Sequence, residues 1–290
     1  MPSKKTIFAS LRRNADEVFP ETQGSECVPC PLCLKPISEN EATVEHIIPE
    51  SVDGRLKTLT CKSCNSLTGS RIDSHLQRWH HAQRLHSGSP IPCKVTIGDS
   101  TVTAVYKRTE ETGVSLEIIG RASNPEHVEK STDLLTSGVK DEFTVVLELG
   151  YSLERVWLAL LKSAYLAVFR QQGYEYAVHP AIAPISERIL GRSSGGPSLE
   201  TIVGKIRPSH TAPPWDDEIM IIQGRTVTQN DCFAVIVRTG RDFPSWHLVY
   251  LPLANNHVDA LHEELEALNE GKRQFSFRIA FQTIPGEHDG

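Results

Sequence analysis

Two cysteine pairs, Cys30-Pro-Leu-Cys33 and Cys61-Lys-Ser-Cys64, are separated by 27 intervening residues. Each C-x-x-C spacing sets two thiolates at the mouth of a tight turn. Two such turns complete a tetrahedral four-sulfur zinc site with no open position, which is a structural site and not a catalytic one. Cys27-Val-Pro-Cys30 is a competing pair that shares Cys30. Cys33 is favoured over Cys27, which would leave a longer unsupported loop, but both remain open. Between the pairs, Ala42-Thr43-Val44-Glu45-His46-Ile47-Ile48-Pro49 places a carboxylate directly before an imidazole, with apolar residues and a proline behind them. Asn65 follows the second pair without a gap.

In this order and spacing, Cys30, Cys33, Glu45, His46, Pro49, Gly54, Cys61, Cys64, Asn65 and Gly69 resemble the zinc-knuckle members of the HNH nuclease family. The resemblance spans about residues 27–85. It implies a ββα-metal unit, with Glu45-His46 on a β-hairpin and the helix after Cys64 facing it. By the family pattern His46 is the catalytic general base. Glu45 and Asn65 bind Mg²⁺ or another divalent ion, and Cys30, Cys33, Cys61 and Cys64 hold structural Zn²⁺. The chemistry is coherent, because phosphodiester hydrolysis needs an activated water, and a neutral imidazole titrates near working pH. Oxygen ligands suit a hard cation that stabilises charge on the phosphate. Adjacent side chains on a strand point to opposite faces, so Glu45 and His46 serve one site only if the strand bends or ends there. The family's usual Asn or His before the second knuckle is missing from Gly54–Thr60, which leaves Thr58, Lys57 or a backbone carbonyl to orient the imidazole.

The formal charge is -6, yet it is uneven along the chain. Over residues 54–90, Arg55, Lys57, Lys62, Arg71, Arg78 and Arg84 stand against one acid, Asp73. A solvated basic helix face and a phosphate-binding surface both produce such a run. Arg55, Lys57, Lys62, Arg71 and Arg78 are the candidate nucleic-acid contacts, with His80, His81 and His86 on the same exposed face. His75, in the helix after Asn65, is within reach of phosphate or metal, but none of these four histidines is assigned as a ligand.

Composition is that of an ordinary globular chain, 39% apolar and 23% charged, which excludes wholesale disorder and a disulfide-dense miniprotein. No apolar run is long enough for a membrane span. The N-terminal residues lack the apolar core of a secretory signal, so a cytoplasmic, reducing setting without membrane association is expected.

The expected fold class is α+β: a small zinc-stabilised HNH module followed by a larger mixed domain. Its expected division is an N-terminal arm at 1–26, the module at 27–86 and an α+β domain at 93–290, with HSGSPIP (86–92) as the linker. Helical spacing runs from about Gly69 to Leu85, and a broad apolar stripe from about Ser152 to Gln172, capped by Ser152 and ended by Gly173. Lys162 and Arg155 are read as the solvated edge of that long helix. Strands are expected at 94–97 and 101–106 around Gly98-Asp99-Ser100, and at 114–119, 143–149, 218–222, 231–238, 246–252 and 275–281. A helix is expected at 257–268, and surface loops around a short helix or strand at 190–215. Trp215, Trp246 and Tyr250 are read as core aromatics.

These features lead to a metal-dependent endonuclease acting on DNA, with a second domain for recognition, sensing or dimerisation to a homodimer. Such architectures resemble components of restriction or anti-phage defence systems. The competing reading is a non-catalytic zinc module that binds nucleic acid or a protein partner.

Overall fold

The computed structural model describes residues 2–86, 88–109, 113–137, 144–147, 149–193, 199–205, 217–225, 230–241, 244–253, 263 and 280–281. The expected α+β class holds, but the compact units divide the chain differently from the expected sequence split. Met1–Leu76 and Ser152–Gly290 form one unit, and Gln77–Tyr151 forms another.

The first unit opens with helix α1 (Lys4–Val18), where Ser3 Oγ accepts from the Thr6 N–H and Phe8, Leu11 and Ala15 are buried. Strands β1 (Cys27–Pro29) and β2 (Pro36–Ser38) pair antiparallel and hold the first cysteine pair in the turn between them. That turn closes through Leu34 N–H to Cys30 O (2.8 Å), with Leu34 in the left-handed region at φ 59°. Strands β3 (Ala42–His46) and β4 (Lys57–Cys61) form the second hairpin, in a register that pairs Ala42 with Cys61, Glu45 with Thr58 and His46 with Lys57. Its connection is tight. A Cβ on Gly54 would lie 1.9 Å from the Ile48 carbonyl oxygen, so only glycine fits there. Helix α2 (Lys62–Thr68) leads through one π-helical turn, Gly69–Asp73, into α3 (Ser74–His86). The helical spacing therefore begins seven residues before Gly69, and the π turn carries it onward with one wider loop of backbone.

In the second unit β5 (Ile91–Ile97), β6 (Ser100–Thr109) and β7 (Gly113–Ile118) precede α4 (Pro125–Thr136) and β8 (Thr144–Val146). The antiparallel order is β7-β6-β5-β8. Alternation along β5 buries Ile91, Cys93, Val95 and Ile97. Val102 and Ala104 join them, and Leu116, Ile118 and Val128 pack on this core. The expected hairpin is present, with Ile97 paired to Ser100. His80 and His81, expected on an exposed basic face, are buried (2% and 9% exposed), so they are not free to meet a ligand. The side chain of His86 lies outside the described residues.

The first unit resumes with α5 (Leu153–Gln172), α6 (Tyr174–Ala177), α7 (Ala183–Ile189) and α8 (Leu199–Ile202). Strands β9 (Val203–Lys205), β10 (Ile219–Arg225), β11 (Asp231–Thr239), β12 (Ser245–Pro252) and β13 (Ala280–Phe281) follow, in the order β13-β10-β11-β12-β9. Gly173 ends α5 at φ 73°, with the Asn14 side chain packed where a Cβ would stand. Ser152 holds the N-cap position but makes no side-chain cap; its N–H donates to His75 Nδ1 at 3.0 Å. Every residue from Leu158 to Phe169 is buried. The sheet packs on one side of α5 and the π turn on another, so the helix has no solvated edge over this stretch. Arg155 is exposed, as expected, but Lys162 is fully buried. Trp246 is core, and Trp215, the helix at 257–268, most of the 275–281 strand and most of the 190–215 loops lie outside the described residues. Among the described residues no helix is long and apolar enough to cross a membrane.

Because α5 covers the hairpin module from within the same unit, a zinc-loaded fragment of residues 1–86 is expected to lack a cooperative thermal transition by circular dichroism. A sharp transition at the melting temperature of the full chain would contradict this packing.

Candidate active site and zinc centre

Four sulfurs converge from two turns. Cys30 and Cys33 come from the β1–β2 turn, and Cys61 and Cys64 from the junction of β4 with α2; their Sγ atoms all lie within 4.8 Å of one another. Cys33 Sγ is 3.8 Å from Cys61 Sγ, about the edge of a tetrahedron whose zinc–sulfur bonds are about 2.3 Å. The Cys61 N–H donates to Cys30 Sγ and the Cys64 N–H to Cys61 Sγ, both at 3.3 Å. A hydrogen bond from the Cys64 thiol, with backbone N–H groups beside it, holds Cys30 down to about 5. Giving that bond pushes Cys64 well above the usual thiol range, and burial raises Cys33 to about 11. Four sulfurs gathered this closely repel one another when ionised, and a doubly charged ion offsets part of that charge, so the cluster fits structural zinc. Cys27, which pairs with Ser38 in β1, is not part of this cluster.

His46, the last residue of β3, lines a cleft of about 380 Å³ with Glu50, Asp53, Arg55, Lys57, Glu218, Arg238 and Arg241. Its Nε2 stands 3.9 Å from Glu50 Oε2, an electrostatic neighbour beyond hydrogen-bond length. Burial lowers the imidazole from its ordinary 6.5, Lys57 and Lys162 act in the same direction, and the nearby carboxylates only partly oppose them. The neutral form of the ring is thereby favoured. Lys57 is the cross-strand partner of His46 and lines the same cleft.

The acids of the cleft are largely engaged. Glu218 accepts the Arg55 N–H at 2.8 Å and the Leu56 N–H, and lies 3.8 Å from Arg55 Nε. Asp53 accepts the Arg241 N–H at 2.8 Å, and the Gly240 N–H donates to Val52 O at 2.9 Å. Arg238 lies over the Trp246 ring, 5.6 Å from its centroid. Glu218, Arg238 and Arg241 escape a sequence reading because they sit more than 160 positions from His46 with no shared motif.

Glu45 takes the opposite face. It is 3% exposed, and its Oε1 accepts from Lys162 Nζ at 2.6 Å. The same ammonium reaches Asp73 Oδ2, also at 2.6 Å. Burial would depress Lys162, but the two carboxylates outweigh it and hold the ammonium above its ordinary value. Burial raises both acids, with Lys162 opposing. Asn65, on the first turns of α2, donates from Nδ2 to Thr43 Oγ1 (3.1 Å) and Val44 O (3.0 Å), locking the helix to β3. Glu45 is thus turned to Lys162 while His46 lines the cleft. Among the described residues no second group of three or more His, Cys, Asp or Glu side chains gathers as the cysteines do.

The basic residues expected to bind nucleic acid separate. Arg55 and Lys57 line the His46 cleft, and Lys62 is exposed on α2. Arg71 is sunk against Gly191, its guanidinium occupying the space a Cβ there would need. Arg78 belongs to the other unit, where it donates to Gly150 O at 3.4 Å. His75 caps α5 and is not placed as a ligand.

Residues 30–80 match the family described as HNH endonuclease, so the chain carries an HNH-type module at the cysteine cluster and the β3–β4 hairpin. No curated protein and no solved structure matches the chain.

Cys33→Ser is expected to lose the bound zinc and destabilise the first unit, because structural zinc contributes folding free energy directly. Cys27→Ser should keep one zinc per chain by atomic absorption. Lys162→Ala should cost about 3–5 kcal/mol in urea unfolding, as removing one partner of a buried ion pair does.

Proposed function

We propose that this chain, taking the HNH module of residues 30–80 as premise, is an endonuclease that hydrolyses DNA phosphodiester bonds with His46 as its general base. The observation that supports this reading is a neutral imidazole opening into a cleft beside Arg55, Lys57 and Arg241. A neutral ring accepts the proton of a water attacking phosphorus. The flanking cations balance the charge that builds on the phosphoryl oxygens. Asp53 and Glu218 are held by backbone N–H groups, which reduces their repulsion of a phosphate. Lys62 is a further exposed base at the start of α2. A role in restriction or anti-phage defence belongs to the same reading through the family resemblance alone.

One observation favours a second reading, a non-catalytic nucleic-acid-binding module: the family's metal-binding acid is Glu45 here, and Lys162 holds it. Supercoiled plasmid separates the two. The endonuclease reading expects nicking by the wild type and a loss of about 10²–10⁴-fold in His46→Gln. Gel-shift binding without nicking under any divalent ion supports the module reading instead.

The pH profile follows from the site. A general base works deprotonated, and burial sets the His46 pKa below 6.5. The nicking rate should fall as pH drops through that value and stay level from 7 upward. An acid limb centred above 7 would assign the base elsewhere.

A further inference from the structure

We propose that Lys162 is a built-in cation of this HNH module, taking the strand acid, Glu45, that the family pattern assigns to a divalent ion. The arrangement is that of an ion site. Glu45 comes from the hairpin, Asp73 from the π turn that continues α2, and both carboxylates reach one positive centre at 2.6 Å. A divalent ion on the same two carboxylates would face the ammonium's positive charge at close range in a buried site, where like charges repel strongly. The nitrogen cannot swing into solvent to make room. Lys162 is 0% exposed, and its neighbours Leu161 and Ser163 on α5 are buried as well. Asn65 turns its amide N–H group to Thr43 and Val44, which fixes α2 on the hairpin through the strand backbone.

Lys162 therefore positions Glu45 and Asp73 and does not touch substrate. The inference rests on the HNH match and on this geometry, and it holds whether or not the chain cuts DNA. It leaves zinc as the structural metal and assigns the second cation of the fold to the protein itself.

The test titrates the zinc-loaded full-length protein with Mn²⁺, read by electron paramagnetic resonance and by thermal unfolding. Wild type and Glu45→Gln should show the same Mn²⁺ occupancy, with no Mn²⁺-dependent rise in the wild-type melting temperature. Lys162→Met should gain one Mn²⁺ per chain and melt at a higher temperature with Mn²⁺ than without. That gain should vanish when Glu45→Gln is added. If Lys162→Met folds only when refolded with Mn²⁺, the rescue supports the proposal equally. One Mn²⁺ bound by the wild type and lost in Glu45→Gln overturns it, and so does a Lys162→Met protein that binds no Mn²⁺ under either preparation. Absence of plasmid nicking in the wild type would remove the endonuclease reading and leave the Mn²⁺ result unchanged.

Discussion

The ammonium of Lys162 joins three stretches of chain that lie far apart in sequence: β3 through Glu45, the π turn through Asp73, and α5. A charge taken wholly out of water is costly unless opposite charge and hydrogen bonds meet it, and here two carboxylates do so at 2.6 Å. No one of the three partners is tolerable in the interior alone. Their joint burial fixes the facing of β3. Successive side chains on a strand alternate, so drawing Glu45 inward turns His46 outward. The ion group that withdraws the strand acid from solvent is thus also what aims the imidazole into the cleft.

A second set of ties runs from the α5–α6 region to the zinc knuckle. Tyr165 donates its hydroxyl to Pro31 O at 2.6 Å, and Tyr174 donates to Pro29 O. Burial raises both phenols well above their ordinary range, so they stay protonated as donors. The cysteine turn is held from inside by sulfur and from outside by these carbonyl contacts. Small zinc modules that stand alone rely on the metal for most of their stability. In this chain a buried helix also braces the cysteine turn.

The cleft is composite. His46, Glu50, Asp53, Arg55 and Lys57 come from the HNH match, whereas Glu218, Arg238 and Arg241 come from the β10–β11–β12 region. Glu218 and the Gly240-Arg241 backbone stitch the hairpin loop to that sheet through N–H bonds. The part of the chain outside the family match therefore lines the same cleft as the hairpin.

Local spacing made much of this legible. The two C-x-x-C turns, the strand alternation of β5, the Gly98-Asp99 hairpin and the apolar stripe of α5 all depend on residues within a few positions of one another. The same holds for the acid–His–Pro and Cys-Asn motif of the module. What stayed hidden depends on partners remote in sequence. Lys162 reads as a helix's solvated edge until Glu45, 117 positions away, and Asp73, 89 positions away, are placed against it. Arg71 reads as a phosphate contact until Gly191 is found beneath it. Periodicity tells which face of an element is apolar, and motif spacing tells which ligands can share a turn. Which charge is buried against which is decided only when the elements pack, because desolvation acts on the assembled interior and not on the chain order.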